Sequence, residues 1–270
     1  MLTGFCATAF RLEIKMNEVK IILTGACGRM GNAVLTAAGK EPKTTVIAGV
    51  DVSPDKSFVP LYHGIDEVGT DIGADVIVDF SHHTATEGIL NYAKAAKCAA
   101  IICTTGHTEE ELKLIEDASK EIAVFRSGNM SLGINLLTAL VQKAASVLEG
   151  FDIEIIEKHH NQKLDAPSGT AIMLADAAAA GTSYTPCYVY DRHSVRQKRG
   201  ETEIGIHSIR GGNIVGEHEV LFAGTNETVT LSHSAASREV FAVGAVRAAI
   251  FMKGRPAGLY SMKDVIESMI

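Results

Sequence analysis

Residues Val19 to Gly31 read VKIILTGACGRMG. Val19 to Thr24 is a short β-branched run, the pattern of a strand, and it ends in a turn with glycine at positions 25, 28 and 31. From Asn32 to Gly39 the spacing becomes helical, with Ala33, Val34 and Ala37 on one apolar face. Glycine in such a turn permits a tight bend and close approach of the backbone to a pyrophosphate. The helix start behind it offers N–H groups and partial positive charge. Asp51 stands twenty residues beyond Gly31, at the end of a second strand from Thr45 to Val50, where an acid binds the adenosine ribose hydroxyls. Strand, turn, helix and acid together predict a dinucleotide site formed by Gly25, Ala26, Cys27, Gly28, Arg29, Met30, Gly31 and Asp51. An acid at 51 without a following arginine favours NADH over NADPH, whose 2′-phosphate it repels; Lys56 softens that preference.

Val76 to Asp79 and Ala99 to Cys103 are further uninterrupted apolar runs, as expected of strands buried on both faces of a parallel sheet. Helical stretches separate them at Thr84 to Ala96 and Glu109 to Lys120. The alternation predicts a Rossmann-like, doubly wound α/β domain. Loops after its strands, Asp79 to Thr84 and Thr104 to His107, are expected at the cofactor. His82 and His83 read as solvated loop residues whose side chains point apart, and Cys103 as a packed thiol rather than a nucleophile.

The pattern changes after about Asn129. Ser131 can cap a helix running to Leu148, and strand candidates follow at Asp152 to Glu157, Pro186 to Tyr190, Glu203 to Ile209, Ile214 to Phe222 and Glu227 to His233. The alternation around Thr228 to Ser232 suits a sheet with one wet face. This half reads as an α+β domain with a mixed open sheet. Arg238 to Met252 forms a last helix.

Composition narrows the function. The 270 residues carry a net charge of −7, which disfavours broad attraction to nucleic acid or anionic lipid. No apolar run approaches the ~18 residues that span a bilayer, and the five cysteines show no CxxC or zinc-finger spacing. Residues 1–15 are mildly apolar but lack a preceding basic residue, so they read as an extension or tail rather than a secretory signal. The expectation is a cytoplasmic protein with reduced thiols.

The chemistry concentrates in EKHHNQKLDAPSGT, Glu157 to Thr170. It leaves a strand and enters an alanine-rich helix at Ser168-Gly169-Thr170, a turn suited to a carboxylate, with His159, His160 and Lys163 crowded upstream. Residue types alone leave two readings open: a polar surface loop beside an ordinary helix cap, or a site for a di-anion that must also receive a proton. A metal site is not expected, because Lys163 stands where zinc would want another His or carboxylate.

The block resembles the signature of the 4-hydroxy-tetrahydrodipicolinate reductase (dihydrodipicolinate reductase) family, E-x-H-H-x-x-K-x-D-A-P-S-G-T-A, at every specified position. GACGRMG, Thr104 to Gly106, Ser127 to Gly133, Arg210 to His218 and His233 to Ala245 resemble further family segments, so the likeness spans Val19 to Ile270. The resemblance implies NADH- or NADPH-dependent reduction of a cyclic dicarboxylate in lysine and diaminopimelate synthesis. By position, His159 would be the proton donor/acceptor and Lys163 a proton donor that contacts substrate; His160, Gly169 and Thr170 would bind substrate carboxylate. Cys103, Thr104, Thr105, Ser127, Gly128, Asn129 and Met130 would join the cofactor site. The family also implies a homotetramer, and a discontinuous cofactor domain of residues 16–129 and 240–270 around a substrate-binding and oligomerisation domain of residues 130–239. Many relatives have glycine where Cys103 stands, so the turn there is expected to differ slightly. Other two-domain amino-acid or semialdehyde dehydrogenases should lack the long block, and a non-catalytic dinucleotide sensor should carry a DNA-binding helix or basic face.

Overall fold

The computed structural model describes residues 18–53 and 59–269, so the readings of residues 1–15 and of Lys56 lie outside the described residues. The chain divides into two compact units, one comprising the chain up to Met130 and from Glu239 onward, the other Ser131–Arg238.

The first unit is built on seven strands: β1 (Val19–Thr24), β2 (Thr44–Val50), β3 (Leu61–Tyr62), β4 (Val76–Asp79), β5 (Ala99–Ile102), β6 (Ala123–Arg126) and β12 (Gly258–Tyr260). Their order is β12-β6-β5-β4-β1-β2-β3, and every pairing is parallel. A parallel sheet needs helices on both faces, so its strands bury consecutive rather than alternate residues. Ile21, Ile22 and Leu23 accordingly have no exposed surface. The helices are α1 (Arg29–Lys40), α2 (Thr86–Ala96), α3 (Glu109–Ser119), and, from the end of the chain, α6 (Glu239–Met252) and α7 (Met262–Glu267). Ile89 and Leu90 of α2 and Ile115 of α3 pack with Ile22, Ile77 and Ile102 of the sheet. α6 lies against α1, and its Gly244 closely approaches the segment after β6, where an added Cβ would stand 1.7 Å from the carbonyl oxygen of Met130. α3 is started by a capping box in which Thr108 Oγ1 accepts from the Glu111 N–H and Glu111 accepts from the Thr108 N–H.

Several details depart from the sequence reading. A 3₁₀ turn at His83–Ala85 precedes α2, β5 stops one residue before Cys103, β3 and β12 have too few residues to show a pattern, and β6 is a further strand beyond the sequence reading.

The second unit contains α4 (Leu132–Val147), β7 (Asp152–His159), α5 (Gly169–Gly181), β8 (Cys187–Val189), β9 (Glu203–Arg210), β10 (Gly216–Ala223) and β11 (Thr228–Ala235). Its sheet runs β11-β10-β7-β9-β8, parallel from β7 through β9 to β8 and antiparallel at β10, so it is mixed, as expected. α4 and α5 cover one face, where Ile153, Ile155, Ile204, Val220 and Phe222 meet Leu137, Val141 and Leu174. β7 runs two residues past its expected end, which brings His159 into the strand. Among the described residues no helix is long and apolar enough to cross a membrane.

Candidate active site

The sheet order places the carboxyl ends of β1, β2 and β4 around one crevice, the switch point where ligands bind in open α/β sheets. A cleft of about 580 Å³ lies there, with Gly25, Gly28, Asp51, Ser81 and His82 among its walls. A smaller pocket of about 270 Å³ shares Phe80, Ser81 and His82 with it and adds His83, Cys103, Thr104 and Thr105. Gly25 has φ +71°, and a Cβ there would stand 2.5 Å from the Phe80 carbonyl oxygen. A Cβ on Gly31 would meet the Gly25 carbonyl oxygen at 2.2 Å. Gly28, the N-cap of α1, contributes no side-chain cap, so the first turn of the helix is left for a ligand to complete. The turn is pinned from the far side: the N–H groups of Gly25 and Ala26 donate to Val50 O (2.8 and 3.2 Å), and that of Cys27 to Asp51 Oδ2 (2.9 Å). This cradle fits a dinucleotide pyrophosphate, with Asp51 beside it. Ala26 is buried beneath the turn, Arg29 is exposed and Met30 is half-buried.

Ser127, Gly128, Asn129 and Met130 border neither pocket. They follow β6, Ser127 Oγ donates to Asn129 O at 2.7 Å, and Met130 is buried. His82 and His83 do not point apart, contrary to expectation; their rings lie 4.2 Å centroid to centroid. His82 caps the 3₁₀ turn by accepting the Thr84 N–H, while His83 Nδ1 pairs with Glu111 at 2.9 Å. Cys103 is half-buried on the wall of the smaller pocket, and its thiol is pushed well up by burial and then by Asp79.

Asp79 has a role that its place at a strand end did not reveal. It is fully buried and accepts from Thr24 Oγ1 (2.5 Å), Ser81 N (2.9 Å), Ser81 Oγ (2.5 Å) and Thr104 Oγ1 (3.2 Å). One carboxylate thereby ties the ends of β1, β4 and β5 together behind the pockets.

In the second unit, alternation along β7 puts Glu157 and His159 on its buried face and Lys158 on the other, where Lys158 pairs with Glu217 (3.2 Å) and Glu219 (2.9 Å) of β10. Glu157 Oε2 lies 2.5 Å from His159 Nδ1. Arg210, opposite His159 in the β7–β9 register, grips both Glu157 oxygens at 2.8 and 2.7 Å. Burial alone would raise the Glu157 carboxyl, but Arg210, Ser208 and His159 outweigh it and hold it down to about 2. His159 is lowered first by burial and further by Lys163 and Arg210, with Glu157 opposing. Lys163 is held in the following loop by Asp165 at 2.8 Å. His160 is half-buried with Nε2 3.4 Å from Arg238 Nη2, Gly169 is exposed at the start of α5, and Thr170 follows in its first turn. The structure thus gathers His159 and Lys163 within electrostatic reach of one another, while Glu157 Oε1 accepts the Ser168 N–H at 3.2 Å and ties His159 to the α5 turn.

His218 of β10 was not read from sequence. Its ring meets that of His159 edge to face at 5.2 Å, Nε2 lies 3.1 Å from Ser168 Oγ, and burial pushes it down to about 4. Between about pH 6.5, the ordinary histidine value, and about 4 the unfolded chain therefore binds a proton that the folded chain refuses. Stability is expected to fall as pH is lowered through that window. Measured as the urea midpoint against pH, His218→Gln should flatten the slope; an unchanged slope would assign it to other groups.

One unit carries a crevice that fits a dinucleotide and the other a cluster of histidine, lysine and carboxylate side chains, the pairing expected of an NAD(P)H-dependent oxidoreductase. Family models described as "Dihydrodipicolinate reductase, N-terminus" and "Dihydrodipicolinate reductase, C-terminus" match residues 19–130 and 133–266. A 4-hydroxy-tetrahydrodipicolinate reductase of Caldanaerobacter subterraneus subsp. tengcongensis is 51% identical over 249 residues, covering 92% of this chain and 98% of the relative. One from Clostridium botulinum is 48% identical over 250 residues, with coverage of 92% and 98%. Dipicolinate-bound dihydrodipicolinate reductase from Paenisporosarcina sp. TG-14 shares the fold, with a TM-score of 0.73, 24% identity and coverage of 90% and 97%. The chain belongs to the dihydrodipicolinate reductase family.

Proposed function

We propose that this chain reduces 4-hydroxy-tetrahydrodipicolinate to tetrahydrodipicolinate with NADH or NADPH, as its family does in the synthesis of diaminopimelate and lysine, and that the block from Glu157 to Thr170 carries the chemistry. The observation behind the assignment is the buried Glu157–His159 contact beside Lys163 and the α5 turn. Bound NADH or NADPH supplies a hydride. His159 is the proton donor/acceptor, and Lys163 donates a proton and holds substrate. Loss of the 4-hydroxyl as water leaves a conjugated imine; as hydride adds to it, negative charge develops on the ring, one proton is taken up, and an acid or cation beside it lowers the barrier. His160 and the Gly169–Thr170 turn bind substrate carboxylate, which fixes the ring for transfer.

The turn from Gly25 to Gly31, Asp51, the segment Cys103 to Thr105 and the segment Ser127 to Met130 bind the cofactor. Asp51 favours NADH. Residues 16–129 with 240–270 serve the cofactor, and residues 130–239 serve substrate and assembly. Four copies associate through the second domain, and the protein works in the cytoplasm.

The test is to mix purified protein with the condensation product of pyruvate and aspartate semialdehyde and follow NADH, then NADPH, at the nicotinamide absorbance band. Oxidation that requires this substrate is expected, faster with NADH. Cofactor binding without turnover would reject the substrate assignment and favour another dehydrogenase.

A further inference from the structure

Glu157 is fully buried two residues before His159, on the same face of β7. Its partners come from three elements: His159 Nδ1 from β7 itself, both Nη atoms of Arg210 from β9, and the Ser168 N–H from the residue that caps α5. A carboxylate gripped in this way is ionised near neutrality and can only accept hydrogen bonds. The His159 nitrogen facing it, Nδ1, must therefore carry a proton, which leaves Nε2 as the other reactive nitrogen of the ring. Nε2 lies beside Gly216, the first residue of β10, where a Cβ would stand 3.1 Å away. That position has no side chain to block the nitrogen.

We propose that Glu157, clamped by Arg210, is a positioning residue for the reduction: it holds His159 as the Nδ1–H tautomer, presents Nε2 past Gly216 for proton transfer, and sets that nitrogen at a fixed place relative to the carboxylate-binding turn of α5. The inference rests on His159 being the proton-transferring group. The tie to Ser168 makes it more than a tautomer lock, because the proton and carboxylate sites are then braced by one side chain. The charged and titratable groups facing His159 are Glu157, Arg210 of β9, His218 of β10 and Lys163 of the loop, and His233 of β11 stands opposite His218 in register. Among them Glu157 alone favours the imidazolium.

The experiment compares kcat and KM across pH for the wild type, Glu157→Gln and His159→Gln, with NADH affinity read by nicotinamide fluorescence. Glu157→Gln is expected to lower kcat about 10²- to 10⁴-fold, up to the scale seen when the carboxylate orienting a catalytic histidine is replaced by its amide. NADH affinity should be unchanged, and the pH limb governed by His159 should move to lower pH, because the anion favouring its charged form is gone. A purely structural loss would reduce active protein without moving that limb. Wild-type kcat and an unmoved limb in folded Glu157→Gln would overturn the proposal. Nitrogen NMR of histidine-labelled wild-type protein, with His159 assigned by its absence in His159→Gln, tests it even if Glu157→Gln does not fold: a proton on Nδ1 is expected, and a neutral Nε2–H form would overturn it. Full activity in His159→Gln would instead remove the reading of the site on which the proposal stands.

Discussion

Lys163→Ala is expected to lower kcat by about 10²- to 10⁴-fold, the range supplied by positioned acid–base groups, while leaving NADH affinity unchanged. Lys163 belongs to the loop after β7, in the unit spanning Ser131–Arg238, whereas the crevice of Gly25, Gly28 and Asp51 belongs to the other unit. Alanine removes nothing from that crevice. It removes an ammonium that is paired with Asp165 at 2.8 Å and pushes His159 down. Two consequences should appear together. Turnover falls because the developing charge loses a donor, and the His159 limb of the pH profile moves up because a repelling cation has gone. That shift is opposite in sign to the one expected for Glu157→Gln, so the pair of variants separates the two influences on one imidazole. Asp165→Asn is the control: it keeps the ammonium and should retain most of the turnover. Equal damage to NADH affinity in Lys163→Ala would reject a purely substrate-side role.

How far this could be read from the chain depends on the range of each interaction. β1, α1 and Asp51 were legible because a strand, its turn and the next strand end lie within about thirty consecutive residues and have local periodicities. β7 was legible as a strand, but its end was misjudged because His159 reads as the start of a polar loop until its pairing with Arg210 is known. That pairing joins residues 51 positions apart, and no local pattern announces it. Glu157 could have been suspected from its spacing: positions i and i+2 on a strand share a face, so a carboxylate there is within reach of the histidine. Asp79 gave no comparable signal, since its four hydrogen bonds come from three separate strand ends. The error over His82 and His83 has a related cause. Side chains of adjacent residues diverge along an extended strand, but here the chain enters a 3₁₀ turn, and Glu111, 28 residues later, holds one ring.

Gly31→Ala should produce the converse of Lys163→Ala, with cofactor affinity lost and proton chemistry intact. The added Cβ would lie 2.2 Å from Gly25 O and 2.6 Å from Ala26 O, both backbone atoms, so no side chain can swing aside. The turn cannot yield cheaply. Gly25 already sits at φ +71° against the Phe80 carbonyl, and the turn is held by two hydrogen bonds to Val50 O and one to Asp51. Either α1 withdraws or these bonds break, at a cost of about 1–3 kcal/mol, as for other overpacked sites. Expressed in binding, that strain should weaken NADH affinity about 10- to 100-fold, since each 1.4 kcal/mol is about tenfold. Because His159, Lys163 and the α5 turn are untouched, kcat at saturating NADH should stay close to wild type while KM for NADH rises. Gly39→Ala, on the same helix, provides the contrast. Nothing lies within 4 Å of a Cβ there, and alanine should stabilise α1 by up to about 1 kcal/mol through helix propensity, without affecting NADH. Thermal unfolding and NADH titration of the two variants would distinguish a requirement for glycine at the turn from a general sensitivity of α1; similar losses in both would reject the steric argument.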